Sequence, residues 1–391
     1  MSKTFKTFIK HTAKDYHNQS VNPPIVRAST IIFKSMQDIR KMQDKAKKNP
    51  TGGHFDYGRQ GTSTTHILSQ ILKEIEEAYH VFLTPTGFGA VFLSIFSVLR
   101  PGDEIIVSDP TYSPTRSLTQ DFLKEFNIKS TFYNPHDLKT LEKSITKKTK
   151  LIFVENPGSN TFDFQDLGKI VSIAKKNKVL TAIDNTWGTP YFLKPIKLGF
   201  DMSIVSATKY YSGHSDVMGG TLAVNKKVFK QVEKANRVTG LRLGPDDAYL
   251  ITRGLRTLDI RLDKHEKNAK QISEFLSKYK NIKLLYPYKK DSLNFRMWKK
   301  YYSGASGLMG IKIKSKNKNS VIKFVNSLKL FGYGYSWGGF ESLALYQDKR
   351  EQGNRQYLKL ANDEHLVRLH IGLEDPKDLI EDLKKSLKFI K

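Results

Sequence analysis

From Val81 to Val224 the chain repeats one pattern, in which a short apolar run, a turn rich in Pro, Gly, Asp or Asn, and a helix-spaced segment lead to the next apolar run. The runs fall at Val81 to Thr84, Glu104 to Ser108, Ser130 to Tyr133, Leu151 to Glu155, Val179 to Asp184, Met202 to Ser206 and Gly219 to Val224. Several, such as Leu151 to Glu155, are apolar at consecutive positions and not at alternate ones, so both strand faces must be buried. Apolar strands alternating with helices predict an α/β domain, an open and mostly parallel sheet covered on both sides.

Upstream, residues 1–57 form an extended arm with a lysine-rich helix over Ser35 to Lys48, ended by Asn49 and Pro50. The arm has too little apolar surface for a core of its own and is expected to contact a neighbouring subunit. A helix over Thr65 to Tyr79 opens the α/β domain, 58–254. Beyond it a long helical stretch is expected from Pro245 to about Tyr279. Residues 255–391 then form a smaller α+β domain, with strands near Ile311 to Ile313 and Val367 to Ile371 and helices near Ser320 to Leu328 and Pro376 to Phe389.

Composition removes whole classes of chemistry. The 391 residues include no cysteine, which excludes thiolate catalysis, cysteine-held clusters and disulfides. Lys plus Arg number 65 against 38 acidic residues, a formal charge of +27. The lysines run from Lys3 to Lys391 without concentrating on one element, so no nucleic-acid partner is expected, although acidic small molecules would be drawn to the surface. The start, Met1 to Tyr16, lacks the apolar core of a secretory leader, and Phe88 to Leu99 is too short to span a bilayer; a cytoplasmic protein without membrane attachment is expected. His54, His66 and His136 have no partners at ligand spacing, so no metal is expected.

Ligands of doubly wound sheets bind beyond the carboxyl ends of strands, and there the polar residues gather. The segment Ser206–Ala207–Thr208–Lys209 puts hydroxyls on both sides of a lysine. By itself Lys209 reads equally well as a solvated loop lysine or as an amine that holds a carbonyl cofactor. Asp184 ends another strand and can keep a pyridine nitrogen protonated. Thr86–Gly87–Phe88 opens a helix whose amides suit a phosphate, and Tyr112 follows a third strand, placed to stack on a ring.

These segments, with Tyr57–Gly58–Arg59, Thr252 to Leu258 and Arg368, resemble the pyridoxal phosphate (PLP) enzymes of cysteine and methionine metabolism, the trans-sulfuration group. The resemblance implies a PLP-dependent transferase fold of type I, like that of aspartate aminotransferase. It implies that Lys209 carries the cofactor and moves protons at the substrate α carbon, and that Asp184 pairs with the ring nitrogen. Gly87, Phe88, Ser206 and Thr208 would hold the phosphate, with Tyr57 and Arg59 supplied by the neighbouring subunit of a homo-oligomer, expected to be a tetramer. Tyr112 would stack on the ring and help deprotonate the incoming amine. Arg368 would grip the substrate carboxylate with its planar fork.

Tyr335–Ser336–Trp337–Gly338 is similar to a loop of the cystathionine β-lyase branch, which assigns Ser336, Trp337 and Tyr57 to substrate binding. The segments Val154 to Ser159 and Leu366 to Asp375 point to the same branch. The reaction implied is β-elimination of L-cystathionine. The alternatives are a cystathionine γ-lyase, a cysteine or cystine desulfhydrase, a methionine γ-lyase or a γ-replacing synthase. Thr86 and Phe88 depart from the serine and methionine common beside this glycine, and Arg116 is expected near the mouth of the site, where it would alter recognition of the distal end of the substrate.

Overall fold

Seven strands make the larger sheet: β1 (His80–Thr84), β2 (Glu104–Ser108), β3 (Lys129–Tyr133), β4 (Thr149–Glu155), β5 (Leu180–Asp184), β6 (Met202–Ser206) and β7 (Gly220–Val224). The computed structural model describes residues 4–12, 20–288, 292–347, 355–357 and 359–390. Strand order is β1-β7-β6-β5-β4-β2-β3, and β7 alone runs against its neighbours β1 and β6. The parallel pairings of β2, β3, β4, β5 and β6, with β1 antiparallel to β7 and so aligned with them, bring the carboxyl ends of six strands to one edge.

The double burial expected of these strands is visible along β4. Leu151 and Phe153 enter the core on one face of the sheet, Ile152 and Val154 the core on the other, and all four are fully buried. At about 1.5–3 kcal/mol for each buried side chain of this size, four residues of one strand make a contribution comparable to a domain's net stability.

The second sheet is antiparallel, ordered β10-β11-β9-β8, from β8 (Ile282–Leu285), β9 (Leu308–Lys314), β10 (Leu343–Gln347) and β11 (Glu364–His370). Strands β8 and β10 were not expected from the sequence. They are short, and β10 is half-buried along much of its length, so its residues do not announce a core strand. The helical stretch from Pro245 divides into Pro245–Leu255 and Leu258–Leu276, broken at Arg256 and Thr257.

The helix Met36–Lys48 buries no residue, as a lysine-rich segment should, with Ser35 capping it by accepting from the Asp38 amide. The beginning of the arm behaves differently from expectation. Helix Phe5–Lys10 docks on its own chain: Ile9 is fully buried, and Lys10 pairs with Asp259 at 2.6 Å. Residues 13–19 of the arm lie outside the described residues. Among the described residues, no helix is long and apolar enough to cross a membrane.

Candidate active site

The strand ends assemble a cleft between the two sheets. Lys209 sits in the turn after β6, and its Nζ donates to Ser336 Oγ at 2.6 Å and lies 5.2 Å from the centre of the Trp337 ring. Ser336 itself has φ +85°, a conformation costly for a residue with a side chain and held by its surroundings. One clamp is Arg368 of β11, whose Nη2 donates to the Ser336 carbonyl at 3.1 Å. The next is Gly338, at φ +89°, where an added Cβ would lie 3.0 Å from the Lys209 backbone; only glycine fits. Buried His370 meets the Gly338 amide at 3.1 Å and so ties this loop to β11.

The lysine turn is fastened from below. Arg261, buried in the helix Leu258–Leu276, donates to the carbonyls of Tyr210 and Gly254, each at 2.7 Å. His214, within the same turn, meets the Ser212 carbonyl through Nδ1 at 2.6 Å. Burial pushes the Lys209 amine down to about 8, the charge of Arg368 acts in the same direction, and Asp184 opposes both. A lysine so placed has a substantial neutral fraction near physiological pH, as a proton acceptor at carbon requires.

Asp184 closes β5 and is half-buried on the cleft floor, where it accepts from the Thr186 amide at 2.9 Å. Beside it stands a residue that sequence reasoning used only as a mark of branch. Glu155 ends β4, and the parallel register sets Glu155 directly opposite Asp184. Its Oε2 accepts from the Tyr112 amide at 2.5 Å and from Thr111 Oγ1 at 3.3 Å. The signal was available: two adjacent parallel strands each end in an acid at the same level. Tyr112 remains exposed to the cleft, and desolvation first, then Glu155 and Asp184, raise its phenol above the ordinary range.

The helix start expected to hold the phosphate shows a close approach. A Cβ on Gly87 would come within 2.4 Å of Ser206 Oγ, so the start of helix Gly87–Phe96 lies against that hydroxyl only because residue 87 is glycine. Thr86 caps the helix by accepting from the Gly89 amide at 2.9 Å, and the first amides of a helix have no partner within it. Phe88 is exposed at the same end. Thr208 differs from Ser206, for its hydroxyl donates to the Gly219 carbonyl at 3.2 Å and accepts from the Gly219 amide at 3.0 Å. Helix amides, a hydroxyl, an acid, an amine and a guanidinium thus suit a phosphorylated pyridine aldehyde bearing an amino acid.

Two expected members stand apart within one chain. Tyr57 is exposed with Arg59 over its ring at 5.5 Å; Arg59 donates to the Arg237 carbonyl, and Arg242 to the Arg59 carbonyl at 2.6 Å. Arg116 corrects the sequence expectation. It is buried, paired with fully buried Asp109 at 2.5 Å and set over the Phe132 ring at 3.7 Å, so its charge is engaged in the wall and not presented at the mouth. Trp187 is buried packing, with its Nε1 donating to the Leu308 carbonyl at 2.9 Å. His136 does have a partner, Asp163 at 2.7 Å, and this pairing raises its pKa.

Comparison with known proteins adds three findings. The family model described as Cys/Met metabolism PLP-dependent enzyme matches residues 6–388. A cystathionine beta-lyase of Bordetella avium is 35% identical over 94% of this chain and 92% of its own length, and an L-alanine/L-glutamate racemase of Wolbachia pipientis is 33% identical over 94% and 92%. The crystal structure of metB from Corynebacterium glutamicum superposes with a TM-score of 0.91 at 28% identity, covering 100% of this chain and 99% of that one.

Proposed function

The chain belongs to the Cys/Met metabolism PLP-dependent enzymes, and from that premise we propose that it cleaves the Cβ–S bond of L-cystathionine to give homocysteine, pyruvate and ammonia. One observation carries this choice within the family. The Lys209 amine is confined between Ser336 Oγ at 2.6 Å and the Trp337 ring at 5.2 Å. β-Elimination asks it to take a single proton, from the α carbon. γ-Chemistry asks the amine to take a second proton, one carbon further out, and so needs more freedom of movement than this confinement leaves. The 35% identity to the Bordetella avium cystathionine beta-lyase supports the same reading.

When bound, pyridoxal phosphate supplies an electron sink conjugated to the substrate α carbon. The protein's part is positional and acid–base. Gly87, Phe88 and Ser206 would hold the phosphate and Asp184 a proton at the ring nitrogen. Arg368 would hold the α-carboxylate in register, and Tyr112 would face the incoming amine. Lys209 takes the α proton; the Cβ–S bond breaks with its electrons leaving on sulfur, which gains a proton and departs as homocysteine. One water completes release of the remaining three-carbon unit as pyruvate and ammonia. The working unit in this reading is an oligomer in the cytoplasm, a tetramer built of two dimers, whose neighbouring subunits lend Tyr57 and Arg59.

The Wolbachia relative favours a second reading, exchange of the α proton of alanine or glutamate with no C–S bond broken. Both begin with the same proton transfer to Lys209. Product analysis of cofactor-loaded protein separates them: pyruvate with equal homocysteine from L-cystathionine is expected. Formation of 2-oxobutyrate with cysteine overturns the β-reading, and D-alanine from L-alanine without cystathionine turnover replaces it with racemisation.

A further inference from the structure

We propose that Glu155 is a positioning residue of this site, uncharged in the working protein, which anchors the Tyr112 main chain and leaves Asp184 as the only anion of the pair. The inference rests on the family reading but is independent of which bond is cleaved.

The geometry begins with register. Residues facing each other on adjacent parallel strands lie about 5 Å apart between backbones, and Glu155 faces Asp184 at the last pair of the ladder. Burial disfavours the charge on Glu155 and the neighbouring Asp184 opposes it further, so ionisation of one acid disfavours that of the other. Among the described residues, the groups around Glu155 supply no cation by direct bond. From the β2 side come the Tyr112 amide and the Thr111 hydroxyl. From its own loop comes Ser159, whose hydroxyl also supports the carboxyl, and from β5 comes Asp184. Arg355 faces the group through space and donates to the Ser159 carbonyl at 2.8 Å. Asp184, by contrast, has the Thr186 amide on one oxygen and feels the Lys209 cation.

The asymmetry decides where the proton resides. Desolvation and the charge of Asp184 hold Glu155 well above the ordinary carboxylate range, while Thr186 and Lys209 restrain the rise at Asp184. A neutral acid suits both neighbours: one oxygen still accepts from Tyr112 and Thr111, and the negative charge stays with the residue that meets the ring nitrogen. With both acids ionised, Tyr112 would face two anions and the lysine amine would be driven back toward its charged form.

The test needs no substrate, so it stands whether or not cystathionine is turned over. Glu155→Gln copies a neutral acid in shape, whereas Glu155→Ala removes the anchor. In the infrared spectrum of the apoprotein at pH 7, a protonated-carboxyl stretch present in wild type is expected to vanish in Glu155→Gln; no such difference overturns the proposal. The pH midpoint of the bound cofactor's visible band should be the same in Glu155→Gln as in wild type. An ionised Glu155 instead predicts a fall of about one pH unit or more on removing its charge, which would also overturn it. Cofactor affinity should drop about tenfold in Glu155→Ala and return to within about twofold of wild type in Glu155→Gln. Wild-type affinity in Glu155→Ala would remove the anchoring role.

Discussion

Lys209, Asp184, Glu155 and Arg368 act on one another before any ligand arrives, because each lies within the field of the next in a cleft where water screens poorly. Beneath them lies a second buried acid with a different consequence. Glu76 is fully buried at the end of helix Ser63–Glu76, accepting from Tyr211 at 2.9 Å and from Ser203 at 3.3 Å, and burial pushes it up to about 7. The folded state therefore holds this proton more tightly than the unfolded chain. The stability it contributes is fully present below about 4.5 and is lost as pH rises through about 7. Glu76→Gln, which cannot ionise, should flatten that part of the curve and raise stability above pH 7 by on the order of a few kcal/mol; denaturant titrations at pH 5 and pH 8 would show an unchanged slope if the assignment is wrong. Residue identity alone left Lys209 open between a solvated loop lysine and a cofactor amine, and it was the set of polar residues at several strand ends that singled out Lys209 and Asp184. Residue identity did not announce Glu155 or Glu76, whose meaning depends on which strand or tyrosine lies beside them.

Elements carry the precision of the phosphate end. Helix Gly87–Phe96 begins where an added methyl would lie 2.4 Å from Ser206 Oγ, so Gly87→Ala must push helix and strand apart or rotate Ser206. Such overpacking costs about 1–3 kcal/mol. Cofactor affinity measured by equilibrium dialysis is expected to fall about tenfold or more, and unaltered affinity would show that this helix start does not hold the phosphate. Most elements of the larger sheet were legible because buried parallel strands must be apolar on both faces, a pattern that survives any change of loop. β7 has the same composition as its neighbours, and only its pairing reveals that it runs the other way. The break at Arg256 and Thr257 was hidden for a related reason: apolar spacing continues across it, and the turn is set by Arg261, which reaches back to the lysine loop.

At the scale of the whole molecule, one chain holds Lys209, Asp184 and Arg368 near one another and Arg59 against Arg237 and Arg242. If sites are shared, Lys209→Ala and Arg59→Ala subunits, each inactive alone, should complement when unfolded together and refolded. Random pairing leaves one intact site in half of the dimers, so recovery of about a quarter of wild-type turnover is expected, and no recovery would assign Arg59 to its own chain's cleft. What the sequence determined by itself was the fold class, the family and the cofactor, because strand apolarity and residue chemistry at strand ends are local properties. What tertiary structure alone decided was which charges meet. It turned Arg116 into the wall against Asp109, set Glu155 opposite Asp184 and placed Trp337 over the lysine amine, since distances between strands and loops far apart in the chain follow from packing and pairing, which no single segment contains.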